Sequence, residues 1–90
     1  MLDTSKIKIA DDGIRYADHD KYLERFDLHE HLIKKNVELL LSCGILLSIS
    51  DLLSVDDLDN ETKQVHYRVI DRQFVSFGDI IYIVYYFDDL

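Results

Sequence analysis

The chain contains no proline and no tryptophan, and only one cysteine and three glycines among its 90 residues. Each shortage closes a class. A lone Cys43 forms no intrachain disulfide, which excludes a disulfide scaffold and makes a reducing compartment the natural setting. Gly13, Gly44 and Gly78 are far apart, so no glycine-rich loop is available to cradle a phosphate, and no Gly-x-Ser-x-Gly elbow marks an activated serine. Long apolar runs are missing too. Residues 39–53 are interrupted by serines, Gly44 and Asp51, and the run at 80–87 has eight residues against the roughly 20 a membrane helix needs. The first six residues, MLDTSK, lack a basic segment leading into an apolar one, so no signal peptide is expected. The expectation is a cytoplasmic protein without membrane contact.

What the chain does have is acid and β-forming apolar residues. Asp supplies 14 of 18 acids, against 10 Lys and Arg, for a net charge of −8. A hydrophobic fraction of 48% nonetheless places the chain outside the disordered regime, as a single folded domain. Its exterior is negative, which opposes approach to a phosphate backbone and favours a basic protein as partner.

Along the chain, residues 5–10 alternate, Asp11-Asp12-Gly13 supplies a turn, and residues 14–16 resume the extended pattern, which predicts an N-terminal β-hairpin. A short helical segment capped by Asp18 or Asp20 is expected before residue 27. Asp27, with Glu30 three residues on, resembles a capping box, and Leu32, Ile33, Val37, Leu40 and Leu41 recur at helical spacing, so the main helix is expected over about 28–43 with Gly44 as its C′ residue. Residues 45–55 are ambiguous between helix and strand, with alternation at 47–50 leaning to strand, and residues 56–61 read as a loop. Val65, Tyr67 and Val69 alternate with His66, Arg68 and Ile70 as a half-buried strand does, and a turn at Gly78 leads into the closing strand. The expected fold is α+β: one main helix with a short preceding helix, packed on a mainly antiparallel sheet.

Candidate chemistry is sparse. His29 and His31 are two residues apart, which on a helix sends them to nearly opposite sides, so no zinc site is expected and Cys43 reads as a small buried residue. Residues 57–61 begin like a calcium loop, but Thr62 stands where Gly is needed and Arg68 where the bidentate Glu belongs. No metal, cofactor or catalytic residue is therefore expected. The remaining signal is the acids. Asp56, Asp57, Asp59 and Glu61 form one tract, and Asp11, Asp12, Asp18 and Asp20 another. Aligned by the fold, the two could occupy the Lys/Arg groove of a nucleic-acid-binding protein; unaligned, they only keep a β-rich domain soluble. The closing run is a central strand or a subunit contact, and its Tyr82, Tyr85, Tyr86 and Phe87 suit a homodimer interface because an aromatic ring is rigid and, in Tyr, ends in a polar group.

One segment resembles a known family. The helix end at residues 39–46, running through Cys43-Gly44, followed by a polar loop and the strand 65–69, looks like the last helix and wing of a winged-helix domain. That resemblance implies a regulator binding DNA as a dimer. The helix in question carries Lys34 and Lys35 but no Arg, and the net charge opposes DNA, so the leading expectation is a non-enzymatic inhibitor of the DNA-mimic, phage anti-defence kind. An immunity or antitoxin protein neutralising a basic nuclease is the third reading.

Overall fold

The apolar run at 80–87 is consumed by a central strand. The computed structural model describes residues 5–17, 24–57 and 60–89. Its elements, in chain order, are β1 (Ile7–Tyr16), α1 (Glu24–Ser42), β2 (Leu52–Asp57), β3 (Asn60–Phe77) and β4 (Ile80–Asp89). The four strands form one sheet in the order β1-β4-β3-β2, with β1 parallel to β4 and the other two pairs antiparallel. This is an α+β domain, one helix on a mixed sheet. Flanked by β1 and β3, β4 buries Ile83, Tyr85 and Phe87 under the helix, while on its other face Val84 is buried and Tyr82 and Tyr86 are half-buried, so both faces of the run are apolar.

The helix earns its place by spacing. Phe26, His29, Ile33, Val37 and Leu41 fall at intervals of three and four, and all five are buried against the sheet. Facing them are Ile9 and Ile14 of β1, Ile83, Tyr85 and Phe87 of β4, Val65, Tyr67 and Val69 of β3, and Leu53 and Val55 of β2. Burying each large aliphatic or aromatic side chain contributes about 1.5–3 kcal/mol. Truncating fully buried Ile33 would cost about 2–5 kcal/mol. The helix stops where Gly44 adopts φ 79°, with the Ile45 N–H donating to Leu40 C=O at 2.9 Å and the Gly44 N–H to Leu41 C=O at 2.9 Å. These two bonds make a Schellman motif, as the glycine implied. Ile45 itself stays 49% exposed rather than packing back.

Several expectations are corrected. Residues 7–16 form one strand, not a hairpin, because their partner is the distant β4 in parallel register. Between the pairs Ile9↔Ile83 and Ile14↔Tyr85, residues 10–13 of β1 stand against Val84 alone, so Asp11-Asp12-Gly13 makes a bulge. Arg15 clamps it, its Nε donating to Asp12 C=O at 3.1 Å and its Nη2 to Asp12 Oδ2 at 2.8 Å. Asp27 does not cap; it lies inside α1. The short helix expected before residue 27 falls mostly outside the described residues, and residues 24–26 belong to α1. Residues 45–51 are a connection containing a turn at 48–51, closed by Asp51 N–H to Ser48 C=O at 3.0 Å, and the strand begins only at Leu52. Of the expected loop, residues 56 and 57 extend β2 and 60 and 61 begin β3, while 58 and 59 lie outside the described residues. Cys43 is exposed.

Candidate functional site

Two groups of residues bear on function: a polar cluster buried under the helix and the acids outside it. The first was missed in the sequence. His29 is fully buried, with Nε2 3.6 Å from Asp57 Oδ1 and Nδ1 3.4 Å from Tyr67 Oη. A proton on Nε2 faces the carboxylate, leaving Nδ1 to accept from the tyrosine hydroxyl. The helical phase explains His29: it sits three residues after Phe26 and four before Ile33, on the core stripe. Strand alternation explains Asp57, which follows Leu53 and Val55 on the inward side of β2. Both signals were in the sequence. Phe26 packs edge-on against Tyr67 at 5.6 Å and beside Tyr16 at 5.1 Å, closing the cluster with aromatic rings. Because no part of His29 reaches solvent, the cluster ties helix to sheet rather than meeting a substrate. His31, two residues on, is exposed on the opposite side of α1. Among the described residues, no three His, Cys, Asp or Glu side chains are grouped to hold a metal.

A second buried polar contact joins β3 and β4 to the 45–51 connection. Tyr85 Oη donates to Leu47 C=O at 3.0 Å, and Arg72 Nη1 donates to the same oxygen at 2.8 Å. Burial raises the Tyr85 hydroxyl above its ordinary pKa of 10.0, with the neighbouring Arg72 charge pulling part of the way back.

Among the described residues, the acids of the two tracts are not brought together. Asp57 leaves its tract for the core, Glu61 lies on β3, and Asp59 lies outside the described residues. Asp56 remains exposed, directed away from α1 beside its cross-strand partner Gln64. Asp11 and Asp12 are exposed in the β1 bulge at the level of Val84, and Asp18 and Asp20 lie outside the described residues. Arg68 is paired with both Leu52 and Asp88, so Asp56 sits about eight residues along the sheet from the bulge, and on the opposite edge. At ordinary strand rise and spacing that is roughly 30 Å. The described exposed acids of the two tracts, Asp11 and Asp12 midway along β1 and Asp56 on β2, therefore stand on opposite edges of a domain 39 Å long, not in one row.

The aromatic residues expected at a dimer interface divide by parity. Tyr85 and Phe87 are fully buried under α1, and neither is available to another subunit. Tyr82 and Tyr86 lie half-buried on the face without a helix, where the Arg15 guanidinium stands 5.9 Å from the Tyr86 ring centre. No helix among the described residues is long and apolar enough to cross a membrane. No protein-family model matches the chain, and comparison with curated proteins and with solved structures finds none similar to it.

Proposed function

We propose that the chain is a non-enzymatic binding domain that covers a basic surface, of the kind that grips nucleic acid, on another protein. The observation that carries this reading is where the acid surplus sits. Asp11, Asp12, Asp51, Asp56, Asp71 and Asp79 are all exposed on a domain of net charge −8. Such a surface speeds encounter with a positive partner and repels polyanions. Asp11 and Asp56, on opposite edges of the sheet, support contact at two points on the target rather than imitation of a continuous row of phosphates. The winged-helix alternative loses its support, because the described residues hold one helix and its apolar stripe is spent on the sheet.

Affinity capture from the source cell, with the parent chain and with the Asp11→Asn/Asp56→Asn variant, tests the reading. The expected outcome is a basic, nucleic-acid-binding protein that competing duplex DNA displaces, and that the variant captures several-fold more weakly at low salt. A partner without a basic surface, or one bound equally by both forms at every salt concentration, rejects it.

A further inference from the structure

The eighteen residues of β3 outrun their neighbour. β2 pairs with β3 only as far as Arg68, and the Ser50 and Asp51 backbone extends cover to Val69 through bonds of 2.8 and 2.9 Å. Beyond the bulge between Val69 and Asp71, residues 71–77 pair with β4 on one side, and among the described residues no strand pairs with the other. Ile70 is 41% exposed, Phe74 48%, Val75 44% and Phe77 77%.

An open, apolar strand edge is a template for another strand, and proteins that stay monomeric blunt such edges with proline, lysine or covering elements. Here there is neither proline nor lysine. The bulge and the Asp71-Arg72 pair lie at one end, and residues 73–78 carry no charged group.

We infer that this outer edge of β3 pairs antiparallel with the same edge of a second copy, joining two four-stranded sheets into one of eight. Charge selects the second copy over the basic target. A chain of net −8 repels itself almost everywhere, but along 73–78 nothing opposes approach, and nothing there attracts a cationic partner. A twofold axis at Phe74 sets the two Phe74 rings side by side, Gln73 opposite Val75, Arg72 opposite Ser76 and Asp71 opposite Phe77, so like charges never meet directly. Shifting the axis to Val75 would put Asp71 against Asp79. At about 200 Å² per aromatic side chain, the exposed parts of Phe74, Phe77 and the flanking aliphatics of two copies offer up to roughly 700 Å², divided between the two faces because Phe74 is in register with Ile83 and Phe77 with Ile80. The paired backbone brings the total near the roughly 1,000 Å² that a specific interface needs. This inference is independent of the proposed target.

Sedimentation velocity from low to high micromolar concentration, combined with amide hydrogen exchange at both extremes, tests it. The parent should dimerise in the micromolar range, with residues 71–77 gaining protection as dimer forms. Phe74→Glu and Phe77→Glu, at exposed positions, should keep the parent circular dichroism spectrum and raise the dimer Kd about tenfold or more. Tyr82→Glu, on the helix-free face, should leave the Kd within about twofold of the parent. A parent that stays monomeric throughout overturns the inference. So does a dimer that survives both phenylalanine changes, or one that Tyr82→Glu abolishes while 71–77 gains no protection.

Discussion

Two neighbouring aspartates of similar sequence context have opposite roles. Asp56 faces solvent, whereas Asp57 lies against fully buried His29 at 3.6 Å. Asp56→Asn should shift stability by no more than about 0.5 kcal/mol. Asp57→Ala strips a buried imidazole of its carboxylate and should cost about 2 kcal/mol, more than the exposed change by a margin that denaturant melts resolve. Equal effects of the two would remove the buried cluster as a structural tie. Tyr85 carries a second prediction. Its hydroxyl loses its proton less readily in the folded chain than in the unfolded one, because burial disfavours the phenolate. The protonated form is thus the native one. The contribution is fully present below the ordinary value of 10.0 and is lost as pH climbs from there through the raised folded value. Tyr85→Phe should cost about 1 kcal/mol at neutral pH, since Leu47 C=O keeps only its Arg72 donor. It should also flatten the alkaline fall in melting temperature. An identical alkaline slope in parent and variant would contradict this.

At the scale of elements, the β1 bulge depends on the absence of one atom. A Cβ placed on Gly13 would stand 2.7 Å from Ile83 O and 2.9 Å from Ala10 O, both backbone atoms that cannot swing aside. Gly13→Ala should destabilise by about 1–3 kcal/mol through overpacking. Gly78 has a different requirement: a Cβ there meets nothing within 4 Å, but φ is +61°. Gly78→Ala should cost about 1 kcal/mol and Gly78→Asn less, because asparagine tolerates the left-handed region better. Thermal melts of the three variants check the order. If Gly13→Ala is the mildest, β1 does not approach β4 as closely as described.

For the whole molecule, net −8 opposes the approach of polyanions. The isolated protein should not retard duplex DNA at about physiological salt, where the screening length is roughly 8 Å. Sequence-specific retardation would reject the proposed role and restore direct DNA binding. The separation of Asp11 and Asp56, roughly 30 Å at ordinary strand rise and spacing, adds a second expectation: neutralising the two should have nearly additive effects on target binding, since distant sites without shared partners do not couple.

Much of the domain was legible from local pattern. The Val65-Tyr67-Val69 alternation, the 33-37-41 stripe and the Gly44 stop each depend on a side chain's own position in a helix or strand, and the structure has all three. Composition likewise determined the sign of the surface. Tertiary structure decided what pairing decides. Asp11-Asp12-Gly13 reads as a hairpin turn in isolation, but parallel pairing with a strand more than seventy residues on turned it into a bulge. The same long-range register put the 80–87 run in the centre of the sheet, hiding Tyr85 and Phe87, and drew Asp57 onto His29. It also left the end of β3 without an outer strand among the described residues. Local propensity is set by each residue and its near neighbours along the chain, whereas the partner of a strand is set by which distant surface can be buried against it.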